Sequence, residues 1–589
     1  MSILNESQAQ FLSSPIGEAC AQNTARTTVP ENGMSFVSGS TSDPLLFKTI
    51  PQVLRETVAR HGPRDAIVVP AQNRRLTYYD FDREVDALAT GLLALGLNKG
   101  DRVGIWSPNR FEWVLTQFAT ARIGLILVNI NPAYRLAELE YALNKVTCKA
   151  IIIAESFKTS EYLKMIRDLA PELENCAPGK LVSSKLPHLK TVIVMSENSG
   201  TGVIPFNDVL SIGGPAQQLR LQAIDKTLDP DDAINIQFTS GTTGVPKGAT
   251  LSHHNIVNNA RFVTDRINLT EMDKLCIPVP LYHCFGMVMG ALGCVTKGAA
   301  MVFPSEGFEA AATLSSIESE RCTALYGVPT MFVSMLQELE QENRDMSSLR
   351  TGVMAGAPCP VEVMEQVFAK MNLSEVTICY GMTETAPVSF QSFVDDPLEK
   401  RCSTVGRVHP HLEVKIIDEE GQIVSIGQQG QLCTRGYSVM KGYWDEDAKT
   451  NESIADGWML TGDLAVFDDE GYCDIVGRVK DMIIRGGENI YPREIEDYLF
   501  RHPDIAEAQV FGIPHEKLGE EVCAWIVPNP GKKLTPETII SFCTGQIAHY
   551  KIPKHIRVVT ELPMTITGKP QKFVMRDEMV DYLKQRAKL

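Results

Sequence analysis

The strongest constraint on the fold is a strand–helix alternation that begins at residue 101. Asp101-Arg-Val-Gly-Ile-Trp106 reads as a strand, and Asn109 as the cap of a helix carrying Trp113, Val114, Phe118 and Ala121. Residues 125–130 read as a buried strand, 136–146 as a helix and 149–154 as a third strand. Such a βαβαβ run demands a parallel sheet covered on both faces by helices. Ligands of such sheets gather at the carboxyl ends of the strands.

Beyond Gly477 the elements become shorter. Strands are expected at 481–484, 506–512 and 522–527, with helices at 492–500 and 572–586. The chain therefore divides into a large α/β domain over 45–479, built from subdomains with parallel βαβ sheets, and a small mobile α+β domain over 480–589. The junction is Gly477-Arg-Val-Lys-Asp481. Residues 1–44 are rich in Ser, Thr, Asn, Gln and Gly and show no apolar period, so they read as a flexible tail. That tail has neither the apolar core of a signal peptide nor the Arg-rich character of a transit peptide.

Charge and cysteine usage narrow the chemistry. The net charge of −16 offers no global field for nucleic acid or anionic lipid, so a polyanionic ligand has to be met by local cations. Residues 481–589 carry 15 basic and 15 acidic residues, which assigns the whole surplus to residues 1–480. Fourteen cysteines without one C-x-x-C indicate reduced thiols rather than a zinc ribbon or a disulfide scaffold. The most apolar stretch, residues 285–295, is eleven long and too short for a membrane span.

Chemistry concentrates in Thr239-Ser240-Gly241-Thr242-Thr243-Gly244-Val-Pro-Lys247-Gly248, directly after an apolar strand at 233–238. The glycines let backbone N–H groups approach an anion, the hydroxyls add donors, and Lys247 supplies a point charge. The spacing is not that of a Walker loop. A bare Gly-Thr-Thr-Gly would read as a flexible turn; the full string reads as a phosphate cradle.

This string resembles the phosphate loop of the adenylate-forming (AMP-binding) superfamily, which includes acyl-CoA synthetases, peptide-synthetase adenylation domains and beetle luciferases. Further matches follow in the family's order: Tyr380-Gly-Met382-Thr383-Glu384, Thr461-Gly-Asp463, Gly477-Arg478-Val-Lys480-Asp481, Arg485-Gly-Gly487-Glu-Asn-Ile490 and Thr567-Gly-Lys569. Pro44-Leu-Leu-Phe, residues 95–101, Val128-Asn-Ile-Asn-Pro-Ala-Tyr134 and Leu139-Glu-Tyr-Ala-Leu are similar to the medium-chain acyl-CoA synthetase branch related to the animal mitochondrial enzyme.

The resemblance implies an ATP- and Mg²⁺-dependent acid:CoA ligase. A carboxylate attacks the α-phosphorus of ATP, giving acyl-AMP and pyrophosphate, and the thiol of coenzyme A then displaces AMP. In this scheme Thr239, Ser240, Gly241, Thr242, Thr243, Gly244 and Lys247 hold the β,γ-phosphates, Thr383 donates to the α-phosphate and Glu384 holds Mg²⁺. Tyr380 presents its ring to adenine, and Asp463, supported by Arg478, takes the ribose diol. Lys569 is the catalytic lysine, brought in by closure of the small domain. Rotation about Lys480 then offers the loop at Gly487 to CoA. The acyl site is implied at Tyr282-His283-Cys-Phe285-Gly286, with His283 gating the carboxylate path and Phe285, Ala355, Gly356 and Met382 among the walls. Taken alone, His283 is a core histidine, Lys569 a surface lysine, and Lys480 and Arg485 are solvated charges.

Three alternatives share these motifs. The acyl group could pass to a carrier-protein thiol, although no carrier domain follows Lys569; the acid could be aryl, branched or hydroxylated; or the enzyme could be a luciferase-like oxidase. The last residues, Ala587-Lys588-Leu589, are a variant of the Ser-Lys-Leu address, which predicts a peroxisomal import receptor as partner and a peroxisomal, otherwise cytoplasmic, location.

Overall fold

The computed structural model describes residues 29–197, 200–239, 246–357, 359, 361–485, 488–515, 517–565 and 569–586. The chain forms two compact units. The first takes in residues 37–414 and 434–459, the second 29–36, 415–433 and 460–589.

The expected βαβαβ run is present in the first unit. Strands Arg102–Trp106, Ile126–Asn129 and Ala150–Ile153 are parallel, with Val103 opposite both Leu127 and Ala150, and helices Phe111–Arg122 and Leu136–Lys145 connect them. One detail differs. The N-cap of the first helix is Arg110, and the Asn109 side chain serves a tertiary role instead. Its Nδ2 donates to the Val279 carbonyl at 2.9 Å and its Oδ1 accepts from the Leu281 amide at 2.7 Å, so it pins the approach to Tyr282-His283. A strong short-range capper lost to a pair of longer-range backbone partners.

These strands belong to a sheet that runs, among the described residues, Ile204–Pro205, Thr191–Val194, Ala150–Ile153, Arg102–Trp106, Ile126–Asn129, Ala233–Thr239, Lys247–Ser252, Gly442–Tyr443. Pairing is parallel as far as Ala233–Thr239 and antiparallel for the last two strands. In a second sheet, Glu375–Gly381, Thr351–Ala355, Ala324–Gly327, Lys274–Cys276, Ala300–Val302 and Asp65–Val69 lie parallel and carry antiparallel edges. Both sheets share one apolar core. Helix Phe111–Arg122 is buried along almost its whole length, and its threonines bond back within the helix, Thr116 Oγ1 to the Glu112 carbonyl at 2.7 Å and Thr120 Oγ1 to that of Thr116 at 2.8 Å.

In the second unit, helix Pro492–Leu499, the long hairpin Ile505–His515 with Gly519–Pro528, the parallel strand His555–Val558 and helix Lys572–Arg586 build the expected α+β texture. Two small cores hold it: one includes Ile483, Ile495, Leu499 and Val522, the other Phe511, Trp525, Leu562 and Met575.

Of the expected tail, residues 1–28 lie outside the described residues, and the segment after them is paired with the rest of the chain. Phe36–Ser38 is a strand, the Ser35 amide donates to Val424 at 2.8 Å, and the Gly39 amide donates to Leu412 at 2.7 Å. Gly39 lies so close to the His409 carbonyl that a Cβ there would fall 2.0 Å from its oxygen. Backbone pairing recruits residues whose side chains carry no apolar period.

The apolar stretch that opens at Phe285 is a buried π-helix, Phe285–Leu292, continued by Gly293–Lys297. No helix among the described residues is long and apolar enough to cross a membrane. The described cysteines are free thiols, in keeping with the sequence.

Candidate functional site

The phosphate-loop string spans a hairpin. Strands Ala233–Thr239 and Lys247–Ser252 pair antiparallel with Thr239 opposite Lys247, so both flank the mouth of the loop. Ser240, Gly241, Thr242, Thr243 and Gly244 lie outside the described residues.

Glu384 comes to this stem from the other sheet. Strand Glu375–Gly381 ends at Tyr380 and Gly381, and the chain turns through Thr383–Thr385. That turn is closed by the Met382 amide on the Pro387 carbonyl at 3.0 Å and by Thr385 Oγ1 on the same carbonyl at 2.7 Å. A Cβ on Gly381 would sit 1.9 Å from that carbonyl oxygen, so only glycine permits the fold-back. The buried Glu384 carboxylate then accepts at one oxygen, Oε1, from Thr239 Oγ1 at 3.1 Å and from the Tyr443 hydroxyl at 3.0 Å. Tyr443 lies on strand Gly442–Tyr443, opposite Ala249, and Lys247 Nζ stands 4.7 Å from the centre of its ring. Burial, reinforced by the Glu384 charge, pushes the Tyr443 phenol well above its ordinary range, so it stays a donor.

Beneath this cluster runs a buried chain of amides. Asn129 Nδ2 donates to the Tyr282 carbonyl at 2.9 Å, and Asn235 Nδ2 donates to Asn129 Oδ1 at 2.9 Å. Gln237 Nε2 donates to Asn235 Oδ1 at 2.9 Å, and the Cys284 thiol donates to Gln237 Oε1 at 3.1 Å. That thiol also faces Thr383 and Glu384; burial, with the Glu384 charge adding to it, pushes it up to about 12. The Tyr282–Phe285 segment and the Thr383–Glu384 turn are thus joined through the core.

The residues expected around the acyl group occupy neighbouring positions. Ala355 closes strand Thr351–Ala355 and pairs with Cys379, which sets Ala355–Gly356 beside the strand end leading to Tyr380 and Met382. Gly356 has a φ of +93°, a conformation that suits glycine. The half-buried His283 accepts at Nδ1 from the Phe285 amide at 3.2 Å, and the Phe285 ring packs 5.4 Å from that of Tyr326. Tyr380 packs its half-buried ring against Phe390, with centroids 6.2 Å apart.

The remaining candidates lie in the second unit. Asp463 and Arg478 are cross-strand partners, joined by Nε to Oδ1 at 2.9 Å, and Asp463 is buried. Lys480 is exposed in the turn after them, where the Asp481 and Met482 amides both donate to the Arg478 carbonyl. Arg485 is no solvated charge, because its Nε bonds the buried Glu521 at 2.5 Å. Lys569 is exposed and bonds Thr565 through its backbone: its carbonyl accepts from the Thr565 amide at 2.7 Å and its amide donates to Thr565 Oγ1 at 2.9 Å. Gly487, Thr567 and Ala587, Lys588 and Leu589 lie outside the described residues.

Sequence reasoning missed Tyr443 and the amide chain. The second left a trace: Asn235 and Gln237 alternate on one face of an otherwise apolar strand, where uncharged amides are costly unless paired.

Among the described residues no group of three or more His, Cys, Asp or Glu could hold a metal. One oriented carboxylate beside a phosphate loop nevertheless fits Mg²⁺, which takes one or two carboxylates and completes its shell with water and substrate phosphates.

Comparison with known proteins shows the family. The model for the AMP-binding enzyme family matches residues 54–444, and that for the AMP-binding enzyme C-terminal domain matches 494–569. The medium-chain acyl-CoA ligase ACSF2, mitochondrial, of Danio rerio is 48% identical over 554 residues, 93% of this chain and 91% of that protein. Its Homo sapiens counterpart is 46% identical over 563 residues, 94% of this chain and 91% of that protein. Among solved structures, ATP-bound MatB from Rhodopseudomonas palustris aligns with a TM-score of 0.79 at 28% identity, covering 90% of this chain and 99% of that one. The anthranilate CoA ligase AuaEII in complex with anthranoyl-AMP aligns with a TM-score of 0.79 at 26% identity, covering 92% and 99%.

These relatives correct the peroxisomal expectation. Both ACSF2 proteins are named mitochondrial, so the peroxisomal location and the import-receptor partner drawn from Ala587-Lys588-Leu589 are withdrawn. A tripeptide address works by being read by a receptor, and three residues carry too little information to outweigh relatives matched along nearly the whole chain. By sequence, by fold and by the convergence of Thr239, Lys247 and Glu384, the chain belongs to the AMP-binding enzyme family, within its acyl-CoA ligase branch.

Proposed function

We propose that this enzyme joins a medium-chain carboxylic acid to coenzyme A in two steps driven by ATP. The observation that carries the reading is the Glu384 carboxylate, fixed by Thr239 and Tyr443 at the mouth of the phosphate loop. Relatives named medium-chain acyl-CoA ligases supply the acid class.

In the first step a carboxylate oxygen of the acid attacks the α-phosphorus, the bond to the β-phosphate oxygen breaks, and pyrophosphate leaves. Such a transfer asks chiefly for positioning and for charge opposite the phosphates. Lys247 and the loop hydroxyls meet the leaving β,γ-phosphates, and the Thr383 hydroxyl meets the α-phosphate. The Glu384 carboxylate would hold Mg²⁺, and the ion would neutralise phosphate charge. Tyr380 stacks on adenine, while Asp463, braced by Arg478, accepts the ribose hydroxyls. Lys569 completes the adenylation site by pairing with α-phosphate and carboxylate oxygens. In the second step the CoA sulfur, its thiol proton lost to solvent, attacks the acyl carbon, the bond from that carbon to the phosphate oxygen breaks, and AMP leaves with the electron pair. Lys480 is the hinge that exchanges Lys569 for the Gly487 loop between the steps. The acyl chain lies along His283, Phe285, Ala355, Gly356 and Met382.

Incubation with ATP, Mg²⁺, CoA and a series of acids from acetate to palmitate, plus aryl and branched acids, tests this. Acid-dependent AMP and acyl-CoA are expected in equal amounts, with kcat/KM greatest at intermediate length. AMP formation that depends on no acid, or acyl-AMP that never reaches CoA, overturns the reading.

A further inference from the structure

Tyr443 touches the two charged groups of the phosphate site at once. Along strand Lys247–Ser252, Lys247 and Ala249 share a face, and Tyr443 is the cross-strand partner of Ala249. Its ring therefore lies diagonally against Lys247, with Nζ 4.7 Å from the centroid. Its hydroxyl reaches 3.0 Å to Glu384 Oε1, the oxygen that also accepts from Thr239 at 3.1 Å. Among the described residues no donor reaches the other oxygen, Oε2. The two donors thus leave one oxygen of the carboxylate available, and Thr239, the register partner of Lys247, ties the same carboxylate to the loop stem.

The phenol is itself anchored. The Tyr443 amide donates to Thr450 Oγ1 at 2.9 Å, and its carbonyl accepts from the Glu446 amide at 3.1 Å, which docks it on helix Asp447–Ser453. Gly442 has a φ of +141°, and a Cβ there would lie 2.8 Å from Thr450 Cγ2, so the approach of strand to helix needs glycine. Next to Tyr443, the Met440 amide bonds the Glu384 carbonyl at 2.9 Å, fixing the carboxylate's backbone from the same segment.

We infer that Tyr443 is a positioning residue for Mg·ATP, whose hydroxyl orients the Glu384 carboxylate toward the metal while its ring holds the Lys247 ammonium. This rests on the function proposed above. Tyr443 acts through Glu384 and Lys247 and need not touch the ligand. The two roles separate chemically: Tyr443→Phe keeps the ring under Lys247 and removes only the bond to Glu384, whereas Tyr443→Leu removes both.

The test is calorimetric binding of ATP to the full chain, in EDTA and across a Mg²⁺ series. For the wild type, Mg²⁺ strengthens ATP binding. In Tyr443→Phe the Mg²⁺ concentration giving half of that effect rises on the order of 10-fold, as for a lost hydrogen bond to a charged group, with ATP affinity in EDTA unchanged. In Tyr443→Leu, affinity in EDTA also falls about 3-fold, the scale of a cation–π contact. Thr239→Val, which removes the other donor to Oε1, moves the Mg²⁺ midpoint in the same direction. Should the leucine variant not fold, the phenylalanine and Thr239 variants carry the test. A folded Tyr443→Phe with an unaltered Mg²⁺ midpoint overturns this inference alone. A wild-type chain that binds no ATP overturns it together with the proposed function.

Discussion

Asn235 Nδ2 lies 2.9 Å from Asn129 Oδ1, joining the last parallel pair of the eight-stranded sheet by side chains as well as by backbone. It is the middle link of the buried chain from the Tyr282 carbonyl to the Cys284 thiol. Replacing Asn235 by Leu takes the donor from buried Asn129 Oδ1 and leaves Gln237 Nε2 with only the weak Met287 sulfur acceptor at 3.2 Å, each loss costing about 1–3 kcal/mol. Urea unfolding of the first unit should show a loss of about 2–4 kcal/mol. A change within about 0.5 kcal/mol would mean the links are dispensable.

Lys569→Ala removes the ammonium and keeps the two bonds that the Lys569 backbone makes to Thr565. Acyl-AMP formation, followed by pyrophosphate exchange into ATP, should fall at least about 100-fold, the usual cost of removing a group that meets developing charge. Affinity for ATP should change less than about 3-fold. Thioester formation from preformed acyl-AMP should continue; its loss would place Lys569 in the second step.

Gly286 offers a probe of the acyl loop. A Cβ there would meet the Pro280 carbonyl oxygen at 2.3 Å, a backbone atom that cannot rotate away. Gly286→Ala should therefore destabilise by about 1–3 kcal/mol, as overpacking does, and displace the neighbouring His283–Phe285 segment. The KM for the acid should rise more than that for ATP. Equal changes in both would show that the segment does not border the acyl group.

His253 sets a pH limit on stability. Its Nδ1 accepts from the Ile50 amide at 3.1 Å, and its buried Nε2 has no partner among the described residues. Burial drives its pKa down from 6.5 to about 3, with Asp232 opposing and Lys99 assisting. Below pH 6.5 the unfolded chain gains a proton that the folded chain refuses. Stability from this group is thus fully present above 6.5 and falls by about 1.4 kcal/mol per pH unit toward 3. In His253→Asn, whose amide oxygen can accept from Ile50, the loss between pH 6.5 and 5 should be smaller by about 2 kcal/mol, read from urea midpoints. Parallel profiles for both proteins would remove His253 as the cause.

The legible part of this molecule was local. The period of strands and helices over residues 101–154 and 481–586 is set by burial of alternate or every third or fourth side chain, and the observed elements differ from it by one to three residues at their ends, with helix Pro536–Cys543 and strand His555–Val558 found in addition. Thr239, Lys247 and Glu384 stand out in the sequence because the phosphate and metal chemistry proposed for them restricts which residue types can serve, and they occur in short strings.

Tertiary structure decided what those residues face. Asn109 reads as a cap but is taken by Val279 and Leu281, 170 or more residues away, and residues 36–38, with no apolar pattern, become strand by backbone pairing. Tyr443 carries no signal of its own. It matters because strand pairing places it opposite Ala249 and so beside Lys247, while the turn at Gly381 delivers Glu384 to its hydroxyl. The sequence by itself determined which chemical groups the protein possesses, since these depend on residue type and near neighbours. Only the tertiary structure decided which oxygen of Glu384 is held, because orientation is set by donors converging from strands 59 and 145 residues apart from it in the chain.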